Sequence, residues 1–191
     1  MSLPLVKYSL AAYYIIATAE ASSNLSRFDG VKYGLSVREN VKDLENLYLE
    51  TRSAGFGDEV KRRIMLGTFV LSTGYYDAYY SKAQKIRRLL VQKMDNIFKE
   101  YDAIIMPTSP QTAFSIGQND KDPIAMYLAD IYTVLANLTG VPAISLPLFS
   151  HSNNMPFGLQ IITNKTDELT LLEISEGLLN RYAAEVDLIE K

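Results

Sequence analysis

Arg63 sits where an arginine is least expected. The stretch from 57 to 80, GDEVKRRIMLGTFVLSTGYYDAYY, opens on two adjacent arginines and continues largely apolar. Wound as a helix, it gathers Val60, Ile64, Gly67, Val70, Leu71 and Gly74 into one apolar sector, with Lys61, Thr68 and Ser72 opposite. Arg63 falls inside that sector. Asp58 precedes Arg62 by four residues and Glu59 precedes Arg63 by four, and pairs at this spacing contribute about 0.2–0.5 kcal/mol. Such a pair accounts for Arg62. It accounts less well for Arg63, whose own face carries glycines one and three turns further along, Gly67 and Gly74. That spacing predicts room beside the guanidinium, and the room reads as a ligand pocket. A planar guanidinium placed there can clamp a carboxylate through two parallel hydrogen bonds.

Fewer signals point to other chemistries. Asp130, in YLADIY, stands at the edge of a stripe made by Ile124, Tyr127, Ile131, Val134, Leu135 and Leu138. Spacing alone makes it an exposed charge. The tyrosines cluster in AAYYII and GYYDAYY, where aromatic packing with hydroxyls reaching a partner is the plain expectation and a pocket-lining tyrosine the sharper one. The single histidine, His151, lies in a polar loop, and the chain has no cysteine. Histidine triads, thiol nucleophiles and metal clusters therefore have no constellation to build on. No phosphate-cradling loop of the GxxxxGK[ST] or GxGxxG type occurs.

The elements that must hold these residues read as follows. Residues 8–24 form a buried, alanine-rich helix ending at Ser22, Ser23 and Asn24, and Asp29-Gly30 marks a turn. A short amphipathic helix over 41–57 is closed by Gly55 and Gly57. The Arg63 helix runs on to about residue 80, and a second long helix with a basic face covers 82–101. DAIIMPTSP compresses an apolar run before two prolines, the pattern of a short buried strand. A helix follows with Asp122 at its N-cap, Pro123 at its first position and Gly140 beyond its end. VPAISLPLF and PFGLQIITN are strands joined by the loop SHSNNM, and a last amphipathic helix over 166–182 is capped by Thr166 or Asp167. This order predicts α/β layering with too little sheet to stand comfortably alone.

Composition fits a globular protein: 191 residues, 48% hydrophobic and 21% charged, with a formal net charge of -3. An acidic chain without a basic block is not expected to grip nucleic acid by itself. No run approaches the ~20 apolar residues of a membrane span, and the absence of cysteine fits a reducing cytosol. A soluble, cytoplasmic protein is expected.

Several segments in order carry a resemblance: LPLVKYSLAAYYIIATAEASSNLSRFDGVKYG, TRSAGFGDEVKRRIMLGTFVLSTGYYDAYYSKAQKIR, DAIIMPTSP, DPIAMYLADIYTVLANLTGVPAISLP and GLQIIT. Together they resemble the amidase signature family and, within it, the family of glutaminase subunits, the A subunits, of glutamyl-tRNA(Gln) amidotransferases. The resemblance implies that residues 1–191 are the C-terminal part of an amidase domain, a truncated lobe with a mixed β-sheet covered by α-helices. It also implies a parent that hydrolyses glutamine and delivers ammonia to a partner, which amidates Glu-tRNA(Gln) using ATP and magnesium.

The family's catalytic lysine, cis-serine, serine triad and its glycine- and serine-rich signature belong upstream of the matched region. ASSN, at Ala21 to Asn24, is a helix end in the family pattern rather than that signature. No catalytic residue is therefore expected here, and this chain alone should not hydrolyse glutamine. By resemblance Arg63 becomes the clamp for the glutamine carboxylate, Asp130 the acceptor for its ammonium, and Tyr14, in preference to Tyr13, a tyrosine lining the pocket. No cofactor is expected in this chain, and ATP and magnesium belong to the parent complex, on a partner subunit. Subunits B and C are the expected partners, tRNA is met through the complex, and the chain alone should expose apolar surface and self-associate. The rival readings are a stand-alone binding or scaffold module without chemistry and a part of a general amidase.

Overall fold

The computed structural model describes residues 3–39, 41–116 and 123–189. Seven α-helices and three strands are seen among them, in the order α1 (Ser9–Leu25), α2 (Leu44–Gly55), α3 (Asp58–Leu71), α4 (Ser81–Ile97), β1 (Ala103–Pro107), α5 (Pro123–Ala129), α6 (Val134–Thr139), β2 (Ala143–Ser150), β3 (Pro156–Thr163) and α7 (Glu168–Ile189). The chain divides into two compact units, one of residues 11–84 and one built from the first ten residues with those from Lys85 onward.

In the first unit, α2 starts where Asp43 accepts a hydrogen bond from the Asn46 N–H at 2.8 Å, which satisfies one of the orphan donors of a helix start. It ends at Gly55, with Phe56 extended. The helix predicted to run from 57 to 80 is two pieces. Ser72 turns its hydroxyl back to the Phe69 carbonyl at 2.7 Å and goes extended, and Gly74 adopts φ +88°. A serine bonded to local backbone, followed by Thr-Gly, is a poor place to continue a helix. A π-helical turn over Tyr76–Tyr80 then leads into α4.

The second unit is built on a three-stranded sheet in the order β1-β3-β2, and both pairings are antiparallel. A mixed sheet would need a parallel neighbour, and none pairs among the described strands. Placing β3 in the centre buries its second half, Gln160 to Thr163, on both faces, whereas β1, expected to be buried, is an edge strand with Ile105 52% exposed. The β2–β3 register runs from Ala143↔Ile162 to Leu146↔Leu159, slips, and resumes at Phe149↔Phe157. Pro147 lies in the slip, and with no N–H to give the ladder it belongs at an irregularity of this kind. Leu146, Leu148 and Ile161 pack with Leu171 of α7 on one face, the period-2 spacing of pleated strands. On the other face Gln160, nearly fully buried, donates from Nε2 to the Tyr132 carbonyl at 3.1 Å. α7 begins at Glu168, after Asp167, as its sequence signals required.

The single helix predicted over 123–139 is also two, α5 and α6, separated by a turn at 130–133. The Thr133 and Val134 amides both donate to the Asp130 carbonyl, at 3.0 and 3.1 Å, and the Thr133 hydroxyl does so at 3.0 Å. These bonds at i+3 and i+4 tighten the chain at Asp130. Gly140 closes α6 in the left-handed conformation, φ +69°, as its position beyond the apolar stripe predicted. Asp122, the expected N-cap, lies outside the described residues.

Candidate functional site

Arg63 lies in the second turn of α3 with 41% of its side chain exposed. Its Nε donates to Oε1 of Glu59 at 3.0 Å, the predicted i,i+4 pair. Arg62 departs from expectation. Its Nη1 donates to Oε2 of the same Glu59 at 2.6 Å, an i,i+3 pair, in place of one with Asp58. Asp58 is the first residue of the helix, where a carboxylate gains from the partial positive charge of the N-terminus. Glu59 thus joins both arginines, one oxygen to each. The Glu59 hydrogen bond is the main reason the Arg63 guanidinium is held above its ordinary pKa. Partial burial opposes the rise, and the charge of Glu59 and then the phenols of Tyr14 and Tyr13 add to it.

Tyr14 and Tyr13, on α1 in the same unit, therefore stand within electrostatic reach of Arg63, and Tyr14 exerts the larger influence of the two. Their rings meet edge to face with centroids 5.3 Å apart. The Tyr14 carbonyl accepts from the Thr18 hydroxyl at 2.7 Å. Asp130 belongs to the other unit, exposed at the turn between α5 and α6. Arg63 and Tyr14 are brought together on one unit, and Asp130 is carried on a turn of the other.

The glycines beside Arg63 do something other than predicted. A Cβ on Gly67 would collide with the Thr18 carbonyl of α1 and would stand 2.6 Å from Cβ of Ser22. The space is filled by a helix, so Gly67 is a close-packing residue rather than the floor of a ligand pocket. Alongside it the hydroxyls of Ser22 and Thr68 are 3.0 Å apart and hydrogen-bonded. Gly74 lies past the end of α3 with no side chain near it. What Gly67 and this hydroxyl pair supply is the seating of α3 on α1, which sets where Arg63 stands relative to Tyr14.

Sequence reasoning missed Arg52. Its Nη1 donates to the carbonyls of Leu25 and Phe28, at 2.9 and 3.1 Å, and its guanidinium lies 5.0 Å over the Phe56 ring. It closes the C-terminal end of α1 and ties down the loop that follows. Only the basic residue in the last turn of α2 hinted at it. Among the described residues no three Asp, Glu or His side chains gather as a metal site would require, and no helix is long and apolar enough to cross a membrane.

Arg63 and Tyr14 thus stand on one unit, on two helices seated against each other at Gly67. The amidase family model matches residues 1–172. The chain belongs to the amidase family. It is 58% identical over 177 residues to the A subunit of the glutamyl-tRNA(Gln) amidotransferase of Bacillus cytotoxicus, covering 93% of this chain and 36% of that protein. The corresponding Bacillus cereus protein is 57% identical with the same coverage. The crystal structure of the Thermotoga maritima counterpart, also the A subunit of a glutamyl-tRNA(Gln) amidotransferase, aligns at TM-score 0.59 and 47% identity, over 86% of this chain and 30% of that one. A crystal structure of an amidase aligns at TM-score 0.68 over 94% of this chain and 36% of its own, and at 20% identity it shows a shared fold alone. This amidase-family chain spans 36% of the length of the curated relatives it matches.

Proposed function

We propose that these residues are part of the glutamine-hydrolysing subunit of a glutamyl-tRNA(Gln) amidotransferase, which releases ammonia from glutamine for the ATP-dependent conversion of Glu-tRNA(Gln) to Gln-tRNA(Gln). The observation that carries the proposal is 58% identity to such a protein over 93% of the chain. In it, Arg63 clamps the α-carboxylate of glutamine, Asp130 accepts from the α-ammonium, and Tyr14 lines the pocket. The pair on Glu59 engages Nε of Arg63, so an end-on clamp through Nη1 and Nη2 is compatible with it. A side-on clamp through Nε would have to break it.

None of these groups touches the reacting amide. The nucleophile, its base and the oxyanion donors belong to residues outside this chain, as do subunits B and C, the bound tRNA, and ATP with magnesium on a partner subunit. The assembly proposed is a cytoplasmic heterotrimer.

The test is steady-state glutamine hydrolysis by a full-length subunit carrying these residues. Arg63→Ala should raise KM for glutamine roughly tenfold to hundredfold with little change in kcat, because a charged hydrogen bond to a part of the substrate that does not react is lost. Arg63→Lys should also be impaired, since a point charge does not replace a planar fork. Arg62→Ala should do much less, and equal losses at Arg62 and Arg63 would overturn the assignment. The 191-residue chain alone should release no ammonia from glutamine. Ammonia above buffer, lost on mutating a serine of this chain, would overturn the placement of catalysis elsewhere.

A further inference from the structure

Glu59 ion-pairs with Arg63 through one oxygen while Arg62 holds the other. We propose that Glu59 is a positioning residue for the Arg63 clamp and that Arg62 is the brace that keeps Glu59 in that role. The inference rests on the assignment of Arg63 to the glutamine carboxylate.

A guanidinium is planar, so fixing Nε and its plane fixes the direction of the two terminal nitrogens. Glu59 lies one turn before Arg63 and takes Nε at 3.0 Å. The terminal edge, which an incoming carboxylate needs, then points away from Glu59. An arginine side chain otherwise carries on the order of 2 kcal/mol of rotamer entropy, and ordering it before glutamine arrives removes part of that cost from binding.

Arg62 prevents the opposite outcome. Carboxylate–guanidinium pairs are frequently bidentate, and Glu59 in that geometry would occupy a nitrogen meant for substrate. The 2.6 Å bond from Arg62 Nη1 holds Oε2 to the side, so Glu59 meets Arg63 through Oε1 alone. The i, i+3, i+4 spacing of residues 59, 62 and 63 places all three side chains on one stretch of the α3 surface.

Two effects of Glu59 oppose each other. Orientation favours substrate binding, whereas a second negative charge near the guanidinium weakens its pull on the substrate carboxylate. Their sum is read in the full-length subunit by glutamine kinetics of Glu59→Ala, Glu59→Gln and Arg62→Ala, each alone and with Arg63→Ala. Glu59→Ala should raise KM for glutamine about three- to tenfold with kcat unchanged, the range expected for contacting groups. Glu59→Gln keeps an acceptor for Nε and should recover most of that loss. Arg62→Ala should raise KM about two- to threefold, and that effect should vanish when Glu59 is also alanine.

Against Arg63→Ala, the Glu59 substitution should change nothing further. A fall in KM for Glu59→Ala, or losses that add to those of Arg63→Ala, would overturn the positioning role while leaving the clamp intact. Unchanged kinetics for Arg63→Ala itself would instead overturn the clamp. Should Glu59→Ala fail to fold, Glu59→Gln carries the same comparison, with wild-type KM supporting the role when Arg62→Ala raises KM and a lowered KM refuting it.

Discussion

Replacing Gly67 by alanine should destabilise the protein, although the intrinsic preference of a helix argues the other way. Alanine is favoured over glycine in a helix interior by about 1 kcal/mol. At Gly67 the added Cβ meets the Thr18 carbonyl and Cβ of Ser22, atoms fixed to the α1 backbone that cannot rotate aside. Forcing a methyl into a filled space costs about 1–3 kcal/mol or more. Parting the helices also stretches the Ser22–Thr68 hydrogen bond, worth about 1 kcal/mol. The net expectation is a loss of about 1–3 kcal/mol.

Gly177, inside α7, is the control, because it has no positive φ and nothing within 4 Å of a built Cβ. There the same substitution should stabilise by about 0.5–1 kcal/mol. The assay is urea denaturation of each variant, reading the midpoint at constant slope. Displacing α3 from α1 also moves Arg63 relative to Tyr14, so Gly67→Ala should raise KM for glutamine in the full-length subunit, and Gly177→Ala should not. A Gly67→Ala protein as stable as wild type, beside a stabilised Gly177→Ala, would refute the close packing of α3 on α1.

Arg52→Ala removes two hydrogen bonds to carbonyls and a cation–π contact; a loss of about 1–3 kcal/mol in urea denaturation is expected, with faster proteolysis in the segment 26–37, and unchanged proteolysis would show that the loop is held by other means. A raised arginine pKa contributes stability that is fully present below the unfolded value and is lost only as pH climbs through the folded one. For Arg63 that window lies above about pH 12, so KM for glutamine should show no inflection due to Arg63 between about pH 6 and pH 9, and one present in wild type but absent from Arg63→Lys would contradict this. Met65, Leu169 and Leu49 are 73%, 69% and 60% exposed, so the 191-residue chain alone should self-associate and bind ANS, and a clean monomer by light scattering without ANS binding would count against it.

What the sequence determined by itself was local. Side-chain periodicity marks α1 to within one residue, end signals mark the end of α2 at Gly55 and the start of α7 after Asp167, and the left-handed Gly140 follows from its place after an apolar stripe. Arg63 was legible as an anomaly on its helix, and its i,i+4 carboxylate was legible with it. Tertiary structure decided the rest. Whether Glu59 serves one arginine or two depends on which rotamers fit around it. Whether glycine beside Arg63 means an open pocket or a packed helix depends on α1, some 45 residues earlier in the chain. The breaks at Ser72–Gly74 and at Asp130–Thr133 interrupt stretches whose apolar spacing continues through them, because a side-chain pattern records which face is buried and not where backbone hydrogen bonds stop. The strand order is of the same kind: β1, β2 and β3 each read as apolar runs, and only pairing between residues far apart in the chain put β3 in the centre and left β1 at the edge.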